Sequence, residues 1–232
     1  MIRTPRNCQP PPELVANAKQ WTARFKRIAD GSKSGDWATR RAKKALAGVL
    51  LTLAHGKCVY CETALGVDVD PEIEHYLAKT RFPDLAFEWT NLLPSCRLCN
   101  RPKGDEDHHN LLLKPDIEDP EPFFWIHPDT GRLEPHPTLD VAQTRRANET
   151  IRLCDLQRAA LCSQRTDMLE RVGRWLRLAS AETAELSLIE EEWDALTNPR
   201  TQYKFVLRHV LRLKGLTELV EEDRLRFEEP AT

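Results

Sequence analysis

Long apolar runs are missing from this chain: in 232 residues no stretch approaches the roughly 20 consecutive apolar residues of a membrane span. Mean hydropathy is −0.54, and the opening MIRTPRNCQPPP is basic but has no apolar h-region. A transmembrane or signal-bearing reading is thereby excluded, and a soluble cytoplasmic protein with no membrane partner is expected. Glycine is scarce, at 9 residues, which argues against many tight hairpins and for helices. The Gly31–Gly35 stretch lacks the Gly-Lys-Ser/Thr ending of a P-loop, so no nucleotide-triphosphate site of that kind is expected. Internal repeats and low-complexity tracts are also missing, which excludes a solenoid.

What is present is unevenly spread. The net charge is only −2, yet residues 1–57 hold 12 Lys+Arg against 3 Asp+Glu, while residues 58–116 hold 6 against 11. A basic arm beside an acidic cluster suits phosphate binding next to a metal site; a solvated helix face is the plainer reading of the same charges. The 7 cysteines are an odd number in a chain without an export signal, so a disulfide framework is not expected. Four of them form two CxxC knuckles, Cys58-Val59-Tyr60-Cys61 and Cys96-Arg97-Leu98-Cys99, with 34 residues between. Each knuckle presents two thiolates on one turn, and two knuckles complete a tetrahedron around Zn²⁺ at about 2.3 Å. A redox CxxC would need one pair only, in a βαβ setting. Cys8, Cys154 and Cys162 remain, the last two on a helical stretch as buried or incidental thiols.

The periodicity predicts a helix over Glu13–Ile28, stopped by Asp30-Gly31, and a second from an Asp36 N-cap to about Ala54. In the second, Ala42, Leu46, Val49, Leu50 and Leu53 form a core-facing stripe, with Arg40, Arg41 and Lys44 opposite. Residues 58–115 contain only short pieces. Pro115 to Pro137 reads as a loop with an extended FFWI patch and a small hairpin around Asp129-Thr130-Gly131. Helices are expected over 139–178 with one break, then 182–196 and 199–228. The organisation is thus a basic helical segment (1–56), a two-knuckle module (57–116), and a loop followed by helices (117–232).

Between and after the knuckles runs Glu72-Ile73-Glu74-His75-Tyr76-Leu77-Ala78-Lys79, then Asn91-Leu92-Leu93, then Asn100 directly behind Cys99, and Lys103. Taken singly these residues are ordinary; a lone His is usually a satisfied surface or core residue. Their order inside a four-cysteine frame resembles the HNH endonuclease family, whose ββα-metal (His-Me finger) fold is often braced by zinc. The resemblance covers 58–103 closely. Looser likeness in DPEPFF…GRLEP (119–135) and Glu149-Thr150-Ile151-Arg152-Leu153 extends it to the PtuB-like nuclease subunits of Septu-type anti-phage systems, retron-associated versions included. By position, the resemblance implies His75 as general base and Glu74 as acidic ligand of a catalytic divalent ion. It further implies Asn91 as support of the active-site loop and Asn100 as a second metal ligand. Glu stands at 74 where many members have Asp or His, and CN replaces CH after the second knuckle. Carboxylate and amide oxygens suit Mg²⁺ or Mn²⁺.

The chemistry follows from the residue types. Phosphodiester hydrolysis needs a water, a base near neutrality and a cation on the developing charge, and a His of ordinary pKa about 6.5 serves as the base. Because adjacent strand residues point to opposite faces, Glu74 and His75 can share a site only if the backbone bends at the strand end or the base reaches around. Lys103 and Arg97 are candidate phosphate contacts, and His108 and His109 read as a solvated loop. The expectation is a mainly α protein with a small zinc-braced ββα insert, acting as a metal-dependent nuclease on nucleic acid, DNA in preference to RNA, with tRNA as a further substrate. The resemblance also implies an ABC-class ATPase partner of the PtuA type, docking on helices within about 182–228. The competing readings are a non-catalytic zinc module that binds nucleic acid or a protein, and a structural adaptor.

Overall fold

The computed structural model describes residues 1–31, 36–66, 69–105, 108, 110–181 and 184–228. It is mostly helical with two small sheets. The first helix, α1 (Pro12–Ala29), begins on proline, whose missing N–H costs nothing in a first turn. The second, α2 (Arg40–Leu53), is capped not by Asp36 but by Thr39, whose hydroxyl accepts from the Ala42 N–H at 3.2 Å. Asp36 instead pairs with Lys43 at 2.6 Å. Most of the expected stripe is in place: Ala42, Leu46, Leu50 and Leu53 are buried, Val49 is half-buried, and Arg40, Arg41 and Lys44 are exposed.

Strands β1 (Pro71–His75) and β2 (Leu92–Cys96) pair antiparallel, with His75 opposite Leu92 and Pro71 opposite Cys96. The short helix α3 (Arg97–Lys103) follows β2 without a gap. This pair lies between α2 on one face and α3 on the other. A second pair, β3 (Phe124–Ile126) and β4 (Leu133–Pro135), forms the hairpin expected around Gly131. Helices α4 (Val141–Leu153) and α5 (Ala159–Ala179) follow, the first closed by a capping box between Asp140 and Gln143. The last three are α6 (Leu186–Thr197), α7 (Lys204–Leu213) and α8 (Thr217–Glu228). The long helix expected over 199–228 is therefore two, separated at Gly215, which adopts a left-handed φ of 72°.

Two apolar cores divide the molecule. One gathers α1, α2 and the α2-facing side of the first sheet, with Phe25, Leu46, Leu50, Phe87 and Leu92. The other runs from the knuckles through β3 and α5 to Phe205 on α7 and Phe227 on α8. It crosses the boundary expected at residue 117. The C-terminal helices are joined to the knuckle region by polar contacts too. Lys57 Nζ donates to the carbonyls of Pro199 (2.6 Å) and Thr201 (3.0 Å), and the Phe205 N–H donates to Glu62 at 3.2 Å. Residues Lys204 to His209 of α7 are all buried. Of the helices expected to form a docking surface, α7 is core, whereas α6 and α8 each bury one side and leave Leu186, Leu188 and Leu225 exposed.

Candidate functional site

The two knuckles meet. Cys58, Cys61, Cys96 and Cys99 are buried, and their sulfurs all lie within 4.8 Å of one another. The Cys61–Cys96 separation is 3.7 Å, close to the edge of a tetrahedron built on Zn–S bonds of about 2.3 Å. Cys96 sits at the junction of β2 and α3, so strand pairing fixes it, and the α3 turn brings Cys99 back to the same point. The first knuckle is folded by the Glu62 N–H donating to the Cys58 carbonyl and the Cys58 N–H donating to the Thr63 carbonyl, both at 2.9 Å. Hydrogen bonds from the other three thiols hold Cys61 well below its ordinary pKa, while burial pushes Cys58 well above it. The donor set fits a zinc ion held by four sulfurs, which leaves no open position for substrate.

A cation stands beside the sulfurs that sequence spacing does not reveal. The Arg158 guanidinium, at the start of α5, lies 3.6 Å from Cys99 Sγ. Burial opposes its charge, but Cys99 and Cys61 more than compensate and raise its pKa. Four thiolates around Zn²⁺ leave a net charge of about −2, and Arg158 offsets part of it. Thr63 Oγ1 adds a contact at 3.2 Å from Cys61 Sγ. Cys154 is buried near by, yet burial keeps it a neutral thiol, and it is not one of the clustered four.

The residues between the knuckles distribute themselves over both faces of β1. Toward α3 point Glu72 and Glu74. Glu74 is 1% exposed and pairs with Lys103 Nζ at 2.8 Å, with the Tyr60 hydroxyl at 3.5 Å. Burial raises its carboxyl pKa against the pull of Lys103. Asn100 does not meet Glu74; its amide nitrogen donates to Glu72 at 2.7 Å. Lys103, expected as a surface phosphate contact, is 2% exposed and also donates to the His75 carbonyl at 2.9 Å. Its position on the last turn of α3 turns it inward to neutralise Glu74. Arg97 is exposed and lines a groove of about 610 Å³ with Asp70, Glu72, Arg101 and Asp155. His108 is buried rather than solvated, with its Nε2 3.0 Å from the Lys103 carbonyl; His109 lies outside the described residues.

Toward α2 points His75, 4% exposed. Its Nε2 lies 3.0 Å from the Ala86 carbonyl. A carbonyl only accepts, so Nε2 carries the proton and Nδ1 holds the lone pair. Burial, with Lys79 near by, pushes the pKa down to about 3 rather than leaving it near 6.5, so the ring is neutral at pH 7. Trp37, from the segment leading into α2, meets the imidazole edge-on at 4.7 Å. Asn91 is buried and stitches the loop after His75. Its side chain accepts from the Leu77 N–H (2.8 Å) and donates to the carbonyls of Leu77 (3.0 Å) and Leu85 (3.1 Å).

The divalent site implied for Glu74 and Asn100 does not fit this arrangement. A lysine ammonium occupies the carboxylate, the amide turns to a different residue, and His75 lies across the sheet from both. Among the described residues, the cysteine cluster is the one group of three or more His, Cys, Asp or Glu side chains close enough to hold a metal.

No protein-family model matches the chain. It is similar to the Septu protein PtuB of Bacillus thuringiensis, 41% identical over 73 residues, which is 31% of this chain and 28% of that one. A second Septu protein PtuB, from Bacillus mycoides (strain KBAB4), is 30% identical over 122 residues, covering 39% of this chain and 41% of the relative. The matched stretches span less than half the length of either relative.

Proposed function

We propose that this chain is a nuclease of the HNH type serving an anti-phage defence system, with an ABC-class ATPase as its partner. The observation that carries the reading is His75. It ends β1 inside an antiparallel pair followed directly by a helix, framed by four cysteines, with the loop behind it pinned by Asn91. The similarity to Septu PtuB supports the defence setting and is consistent with an ATPase partner. In this reading the module is residues 57–116, and zinc is its brace rather than its catalyst.

The base is assigned to the lone pair on His75 Nδ1, since the Ala86 carbonyl holds the proton on Nε2. Uncovered and solvated, the ring returns toward its ordinary pKa of about 6.5, and the neutral imidazole then takes a proton from a water aligned with the scissile phosphate, a contribution of about 10²–10⁴ in rate. The ring reaches substrate only when Trp37 moves off it. Glu74 and Asn100 are engaged by Lys103 and Glu72, so this reading gives neither of them to a second metal.

The test is a panel of DNAs and tRNAs incubated with the chain, with and without the ATPase and with Mg²⁺ or Mn²⁺. His75→Ala is expected to keep its zinc and lose cleavage by at least about 100-fold. Equal cleavage by parent and variant would overturn the assignment. The burial of His75 and the Glu74–Lys103 pair favour a second reading, a non-catalytic zinc module that binds nucleic acid. Tight binding with no cleavage in any assembly selects that one.

A further inference from the structure

The residue that covers His75 is not sealed into the core. Trp37 is half-buried, its ring perpendicular to the imidazole at 4.7 Å and 5.2 Å from Phe87. Lys43 and Lys79 each place an ammonium 5.9 Å from the Trp37 ring centroid. Lys43 is also paired with Asp36, but that pair is on the surface, where such contacts are weak and exchangeable. Arg40, Arg41 and Lys44 stand exposed on the α2 turns that follow, within the segment where basic residues outnumber acidic ones 12 to 3. An indole partly open to solvent, with two ammoniums over its ring and a basic field around it, has the parts of a site for unpaired nucleotides, a base displacing the ammoniums onto its own phosphates. The ring stacks a base and the lysines take the phosphates on either side. A neutral core tryptophan needs neither the flanking charges nor the exposure.

We propose that Trp37 is a stacking platform for single-stranded nucleic acid, with Lys43 and Lys79 as its phosphate contacts. The platform rests on the nuclease reading for its purpose, since it holds a bound strand next to His75, which Trp37 itself touches. Lys79 joins the two places: it flanks the indole and lies close enough to depress the His75 pKa. Stacking requires a base free of its pair, so the platform favours single strands, frayed ends and loops over intact duplex.

Fluorescence anisotropy with a labelled 20-nucleotide oligo(dT), an oligo(U) of equal length and a 20-base-pair duplex tests this without added divalent ion, so that nothing is cut. The full chain is expected to bind both single strands more tightly than the duplex. Trp37→Ala should weaken single-strand binding about tenfold, and Trp37→Phe should recover most of it. Lys43→Gln and Lys79→Gln should each lower the salt-dependence slope by about 0.7. Zinc content and melting temperature of each variant report that the fold is kept. Unchanged affinity in a folded Trp37→Ala protein, duplex bound as tightly as single strand, or no binding by the parent would each overturn the platform. If binding depends on Trp37 but nothing is ever cleaved, the platform stands and the nuclease reading falls. Cleavage that survives Trp37→Ala with unchanged affinity gives the reverse.

Discussion

At the scale of single residues, the chain shows how little a residue's type says about its work until its burial is known. Lys103 and Arg97 are both basic, both on α3 and six positions apart, and the sequence offers each as a phosphate contact. The structure makes one of them internal. With Glu74 and Lys103 almost fully buried and 2.8 Å apart, removing the lysine leaves a carboxylate in the core without a counter-charge. Breaking such a pair costs about 3–5 kcal/mol, whereas an exposed arginine away from special features costs within about 0.5 kcal/mol. Lys103→Met is therefore expected to lower urea stability by several kcal/mol and Arg97→Ala to leave it nearly unchanged. Similar small losses for both would show that Lys103 is solvated after all. The four cysteines were legible because two fixed spacings and a tetrahedral ion leave few other arrangements. Arg158 was not, because it approaches Cys99 from 59 positions away along the chain, a distance no local motif spans.

Elements were legible where a period or a punctuating residue announces them. The α2 stripe falls where the sequence places it, α1 starts at Pro12, one residue before the expected Glu13, and Gly131 marks its hairpin. The boundaries that moved did so for local reasons: Thr39 outcompetes Asp36 as a cap because Asp36 is drawn to Lys43, and Gly215 divides a helix that hydrophobic periodicity alone runs together. Gly131 is also a point where element and core are locked. Its φ is 63°, and a Cβ there would stand 2.1 Å from the Cys162 carbonyl oxygen on α5. Neither backbone has a flexible end to move aside, and Arg165 also donates to the Gly131 carbonyl at 3.3 Å and to that of Leu156 at 2.7 Å. Gly131→Ala should thus push the hairpin off α5 and cost more than the roughly 1 kcal/mol typical of a point substitution. A melting temperature within about 2 °C of the parent would show that the hairpin shifts freely.

For the whole molecule, the sequence suggests three consecutive parts, and the packing joins the second to the third. Arg208, 2% exposed, reaches Asp223 on α8 at 2.6 Å and Glu121 before β3 at 2.7 Å, while Lys204 pairs with the same Asp223 at 2.5 Å. These charges are satisfied only when α7, α8 and the strand region are assembled together. Hydrophobic spacing cannot announce this, since an arginine and a lysine in a helix read as surface. The consequence is that removing α6 to α8 does not give a trimmed zinc module. It removes apolar partners from the core that the knuckles share, deprives Lys57 of both its carbonyl partners and leaves Glu121 without Arg208, Arg212 and Arg224. Zinc binding in comparable small sites is worth about 10–16 kcal/mol, as large as the about 5–15 kcal/mol that holds a typical domain folded. The coupling therefore runs both ways. A chain ending at residue 181 should lose its sharp thermal transition and hold zinc substoichiometrically. Cys96→Ser should, conversely, expose the α7 amides to hydrogen exchange although they lie far along the chain. A truncated protein that melts cooperatively with one zinc per chain would show that the knuckles fold alone and that the C-terminal helices are an appendage.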